Sequence, residues 1–181
     1  MHYLSPLALL VVFLALSGCA NAARTGGAWS PSPNVRYDEF RDSTDYLAAP
    51  ILASNRLFGP SVTLIAGWRC PKREACVRDN VMLVVNAQQD GRIPLEQGAE
   101  LFVMMGERRE RFTPALEEFG VRDGMLGQDR RSLAYPIPAS LFRELAEAPG
   151  DVQMRAGGIE AFTLPHAKRE GWRLLLARGT N

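Results

Sequence analysis

Ser61-Val62-Thr63-Leu64-Ile65-Ala66-Gly67-Trp68, followed by Val81-Met82-Leu83-Val84-Val85, carries the reading of the fold. The first stretch is β-branched and apolar, a composition that suits a pleated, half-buried surface. It runs into the loop between Cys70 and Cys76. The second is a short continuous apolar run, suited to a strand buried on both faces or central in a sheet. Asp90-Gly91 behind it is a strong turn dipeptide. Glu100-Leu101-Phe102-Val103-Met104-Met105 supplies a further strand and Gly106 permits a turn. Arg109-Glu110-Arg111-Phe112 then returns as an exposed edge strand. Residues 132–138 read as a late strand that Pro136 and Pro138 confine to an edge or an end. Upstream, Val35-Arg36-Tyr37-Asp38-Glu39-Phe40 alternates in part, with Asp42-Ser43 as its interruption. Across all of this, alternation at period 2 outweighs any helical period.

The last quarter changes period. Residues 140–148 read as a helix opened by Ser140 as its cap. Leu141, Leu145 and Ala148 share one face, and the helix stops at Pro149-Gly150. A second helix is expected over 166–177, with Trp172, Leu175 and Leu176 inward and Gly171 as its weakest position. Between them, residues 152–156, Gly157-Gly158 and residues 159–164 read as a tight β-hairpin. The order of elements predicts a mainly β domain, an antiparallel β-sandwich with two short C-terminal helices. An open α+β sheet is the alternative.

Ten apolar residues, Leu7-Ala8-Leu9-Leu10-Val11-Val12-Phe13-Leu14-Ala15-Leu16, precede this domain. A bilayer core needs roughly 20 to be spanned by a helix, so the run fits the apolar region of a secretory signal. It ends in Leu16-Ser17-Gly18-Cys19, which resembles the lipobox of bacterial lipoproteins, although Met1-His2-Tyr3-Leu4-Ser5-Pro6 carries no Lys or Arg. The resemblance implies that residues 1–18 are a signal peptide and that Cys19 becomes the lipidated N-terminus. Ala20 stands where aspartate favours inner-membrane retention in enterobacterial lipoproteins, which implies an outer-membrane anchor facing the periplasm. Residues 19–34, rich in Ala, Gly, Ser and Pro, bury little apolar surface and read as a flexible tether. Residues 35–181 are then a single globular domain.

With Cys19 assigned to lipid, Cys70 and Cys76 remain as an even pair, and in an exported chain such a pair reads as a disulfide. The spacing is not C-x-x-C, and a zinc site would need more than His166 beside the pair. The formal net charge of +1 argues against an electrostatic nucleic-acid binder.

Catalytic motifs are missing from the sequence: there is no G-x-S-x-G, H-E-x-x-H, phosphate-binding loop or dinucleotide fingerprint. His166 follows Pro165 at a helix start, where capping or solvent exposure explains it. Glu117-Glu118 on a strand would point to opposite faces and cannot line one site. The basic stretches Arg108-Arg109-Glu110-Arg111 and residues 122–131 are interleaved with carboxylates, which favours a solvated surface over recognition of lipid phosphates. Trp68 beside the disulfide loop is expected in the core. No catalytic residue, metal or cofactor is therefore assigned, and the sequence sets no oligomeric state. The favoured function is a non-enzymatic envelope lipoprotein that binds or scaffolds a protein partner, with Arg109 and Arg111 on a candidate binding edge. A small-ligand or lipid binder and an envelope hydrolase without a motif are the alternatives.

Overall fold

The computed structural model describes residues 32–54, 61–72, 76, 78–88, 95–115 and 130–178. Cys19, the tether up to residue 31, Asp90-Gly91, Glu117-Glu118 and residues 122–129 of the second basic stretch lie outside the described residues. Along the chain come β1 (Asn34–Asp38), β2 (Ser43–Leu47), β3 (Ile51–Ser54), β4 (Ser61–Pro71) and β5 (Asn80–Gln88). Then follow β6 (Leu101–Met105), β7 (Arg108–Phe112), β8 (Arg130–Pro138) and α1 (Ala139–Glu147). The chain continues through β9 (Val152–Ala156), β10 (Phe162–Leu164), a 3-10 turn (His166–Arg169) and α2 (Glu170–Arg178).

β4, the 11-residue strand read first in the sequence, organises the larger sheet. Its C-terminal half pairs with β2 and its N-terminal half with β3, while β5 occupies the opposite edge. The order is β1-β2-β4-β5-β8, with β3 also on β4, and every pairing is antiparallel. Val62, Leu64, Ala66, Trp68 and Cys70 form the buried face of β4, and Val81, Leu83, Val85 and Ala87 that of β5. β5 is central, as its apolar run predicts, but Met82 and Val84 on its other face are only half-buried. β8 ends the sheet beside β5, a position that tolerates its prolines because an end strand can spare ladder donors.

The second sheet has the order β10-β9-β6-β7, again antiparallel. Its inward residues Leu101, Val103, Val152, Met154, Phe162 and Leu164 belong to the same apolar core as the first sheet. Leu141, Phe142, Leu145 and Ala146 of α1 and Trp172, Leu175 and Leu176 of α2 join that core. The result is a mainly β domain of antiparallel sheets with two short C-terminal helices.

Several local readings change. β1 stops at Asp38, whose carboxylate accepts hydrogen bonds from the Phe40 and Arg41 amides at 3.0 and 3.3 Å. That side chain offers the backbone a turn in place of a ladder. Asp42 adopts a φ of 44°, and β2 begins at the next residue. Ser140 is not the cap of α1: Pro138 holds that position without a side-chain hydrogen bond. The Ala139 amide donates instead to the Asp79 carbonyl at 2.8 Å. The hairpin after α1 has the wide loop 157–161, and β10 is three residues long. The second helix starts as a 3-10 turn.

Two contacts make the packing testable. A Cβ at Gly67 would stand 2.5 Å from the Tyr46 carbonyl oxygen and 2.6 Å from Leu47 Cδ2, both on β2. Gly67→Ala therefore has to push β2 off β4 and should cost about 1–3 kcal/mol in urea unfolding. The buried Tyr135 hydroxyl of β8 donates to the Ala99 carbonyl at 2.8 Å, joining β8 to the chain just before β6. Burial raises its pKa above the ordinary 10.0. A raised folded pKa means stability fully present below the unfolded value of about 10 and lost as pH rises from there toward the folded one. The urea midpoint should fall between about pH 9 and about pH 11, with a smaller fall in Tyr135→Phe.

Candidate functional site

β6 alternates its side chains across the second sheet. Leu101 and Val103 enter the core, while Phe102 and Met104 lie half-buried on the outward face. The register then decides what surrounds them. Phe102 lies between Arg111 of β7 and Arg155 of β9, and Met104 between Arg109 of β7 and Gln153 of β9. Residues opposite one another in adjacent strands project to the same face. Two apolar side chains are thus flanked by three arginines, two from β7 and one from the sequence-distant β9. A concavity of about 280 Å³ opens there, lined by Phe102, Met104, Arg109, Glu110, Gln153 and Arg155 among others, and Glu110 is engaged by Arg108.

The arginines are held differently. Arg155 places its guanidinium 5.0 Å from the centre of the Phe102 ring. Arg111 Nε approaches Glu100 Oε1 at 3.6 Å. Neither Arg109 nor Arg155 has a carboxylate partner among the described residues. Arg108 is different again: its side chain meets Glu110 at 2.6 Å and Glu144 of α1 at 2.5 Å. The contact with Glu144 connects the end strand to α1. Glu110 and Glu144 raise the Arg108 pKa through hydrogen bonding and charge.

β7 is the terminal strand of its sheet, so Arg109 and Arg111 sit on a sheet edge. Its backbone pairs with β6 alone among the described strands. Guanidinium groups stay protonated and only donate hydrogen bonds, and Phe, Met and Gln offer no base or nucleophile. The arrangement is suited to binding acceptors and anions.

His166 lies elsewhere, exposed at the start of the 3-10 turn, with Nδ1 2.9 Å from the Ala148 carbonyl oxygen. That contact serves the end of α1. Among the described residues, no group of three or more His, Cys, Asp or Glu side chains is placed to hold a metal ion. No helix among them is long and apolar enough to cross a membrane.

Cys70 and Cys76 are disulfide-bonded, with Cα atoms 5.5 Å apart. The Cys76 amide also donates to Cys70 Sγ at 3.2 Å. The bond ties the loop after β4 back to the buried end of that strand. Cys76→Ala should lower stability by about 2 kcal/mol through loop entropy without altering the fold. Thermal unfolding with and without reductant checks it: reductant should shift the natural protein and leave the variant unchanged. Trp68 is buried, as expected, but it also stacks on Tyr46 with ring centres 5.3 Å apart.

Phe102, Met104, Gln153 and Arg155 were not legible as site residues. The alternation in residues 100–105 and 152–156 identifies two strands, and that was the available signal. Only their pairing shows that Arg155 and Arg111 flank the same phenylalanine. Comparison of the chain with protein-family models, with curated proteins and with solved structures finds no match.

Proposed function

We propose that this chain is an outer-membrane lipoprotein, anchored through Cys19, whose β domain is a non-enzymatic binding module for a protein partner. The partner presents an extended, acidic segment to the outward face of the second sheet. One observation carries the reading: Arg109, Arg111 and Arg155 surround Phe102 and Met104 beside the terminal strand β7. An added strand can take hydrogen bonds from the β7 backbone, while its acidic side chains meet the guanidinium groups. Apolar side chains of the segment would cover Phe102 and Met104.

The concavity of about 280 Å³ lies beside the terminal strand β7, whose backbone edge, free among the described strands, favours an extended segment as the occupant. The hydrolase alternative loses ground because His166 bonds a helix-end carbonyl.

The anchor rests on Leu16-Ser17-Gly18-Cys19 and the apolar run before it, and the outer-membrane assignment on Ala20. Two or three acyl chains hold a protein firmly, since each buried methylene contributes about 0.8 kcal/mol. Mass spectrometry of the mature protein should find an acylated Cys19 with no residue before it. Cys19→Ser should leave the membrane fraction. A mature chain that retains Met1, or an unmodified Cys19, contradicts the anchor.

A further inference from the structure

The first sheet carries a second cluster of unpaired positive charge. Tyr46 and Trp68 are register partners on β2 and β4, with rings 10° from parallel. The Arg78 guanidinium lies over the same indole, 3.2 Å from its centre. The Cys70–Cys76 disulfide closes the loop two residues earlier and so fixes where Arg78 leaves it. Arg78 is the anomaly: its Nε and Nη1 are buried and have no hydrogen-bond acceptor. A buried donor without a partner is costly, and more so when it is charged.

The charged neighbour of this group is another cation. The Ala139 amide bonds the Asp79 carbonyl at 2.8 Å, so α1 begins beside the residue that follows Arg78. Arg143 is one helical turn on from Ala139, on the same side of α1, and it is exposed. Burial and then the charge of Arg143 both lower the Arg78 pKa. No carboxylate pairs with either arginine among the described residues. Among the described residues, these two guanidinium groups, one of them stacked and incompletely hydrogen-bonded, have no counter-charge.

We propose that Arg78 and Arg143 together hold a phosphate group. A phosphate monoester carries about −1.5 to −2 at neutral pH, matching two guanidinium charges. Arginine binds its oxygens through paired N–H donors. The anion enters from the exposed Arg143 side and draws acceptor oxygens toward Arg78, whose position on Trp68 is already set. The site is separate from the face of the second sheet, and its test does not depend on that reading.

The test uses the full chain in detergent, titrated with inorganic phosphate, glycerol 3-phosphate and monomeric dihexanoyl phosphatidic acid at constant ionic strength. The readouts are the thermal midpoint and tryptophan fluorescence, with Trp68→Phe identifying the indole that responds. At least one probe should raise the midpoint and change the Trp68 signal saturably. Arg143→Gln, at an exposed position, should weaken that response about tenfold or more, the loss of one charge-assisted contact. Arg36→Gln, exposed on β1 and outside both arginine clusters, should leave it intact. Saturation by inorganic phosphate identifies a free phosphate ligand, and a response confined to the two glycerol esters identifies a lipid headgroup. No saturable response to any probe, or an equal response in Arg143→Gln, overturns the proposal.

Discussion

Replacing Arg169 with methionine should cost the domain about 3–5 kcal/mol, the largest loss expected from a single polar position. Arg169 is fully buried in the 3-10 turn before α2, yet among the described residues it pairs with no carboxylate. Its Nη1 donates to the Leu145 carbonyl, and its Nη2 to the carbonyls of Ala148, at 2.9 Å, and Gly150. These are the end of α1 and the turn behind it. The last carbonyls of a helix have no partner within it and carry the negative end of its dipole. Arg169 supplies donors and opposite charge together, and Arg173 adds a hydrogen bond to the Ala146 carbonyl at 3.1 Å. Burial is the main cause lowering the Arg169 pKa, with Arg173 adding to it and Asp151 opposing it. Methionine fills similar volume but leaves the buried Leu145 carbonyl without this donor, at about 1–3 kcal/mol, and removes the guanidinium from the part-buried carbonyls of Ala148 and Gly150 as well. Urea unfolding should show a lower midpoint with an unchanged slope. Arg169→Lys should fall between the two, because one ammonium cannot match the planar spread of the guanidinium. A methionine variant as stable as the natural protein would mean that water replaces the arginine without cost.

The second large effect is expected on binding. Arg109→Ser combined with Arg155→Ser should weaken partner association about 100-fold or more, if each guanidinium makes one charge-assisted contact of about 1.5–3 kcal/mol. Both side chains are exposed, so abundance and melting temperature should stay close to those of the natural protein. Arg108→Ser is the useful contrast, since Arg108 is tied to Glu110 and Glu144 away from the outward face. It should disturb stability slightly and binding little. Cells carrying the double variant should resemble a deletion strain despite normal protein levels. If the Arg108 variant does so and the double variant does not, the binding surface lies elsewhere.

The sequence was informative where a single strand or helix announces itself through its own period. β4, β5, β6, β7 and β8 lie where alternation and punctuation placed them, and the inward residues of α2 were those its spacing named. β2 and β3 were not legible. Ser43-Thr44-Asp45-Tyr46-Leu47 and Ile51-Leu52-Ala53-Ser54 are short and mixed in polarity, and they become strands because β4 offers them an edge. Tertiary pairing, not local preference, decides such segments.

The candidate site divides in the same way. Arg109 and Arg111 were singled out because charge on a short strand marks an edge. Their companions Phe102 and Arg155 depend on register between strands some fifty residues apart in sequence, which no local pattern encodes. Arg169 was hidden for a different reason. It stands three residues before Trp172, on the inward side by spacing, but a charged residue is ordinarily read as solvent-facing. Only the carbonyls at the end of α1 explain its burial.

On the proposed function, an acidic partner segment occupies the outward face of the second sheet. Site-specific photocrosslinking in intact cells addresses it most directly, with the reactive group at Met104 and, as a control, at exposed Leu52 on β3. One defined protein adduct should form from position 104, absent from position 52 and lost when Arg109 and Arg155 are serine. Peptide mapping should place the crosslink in a segment rich in Asp and Glu. Adducts that survive the loss of both arginines, or that form equally from position 52, would contradict it.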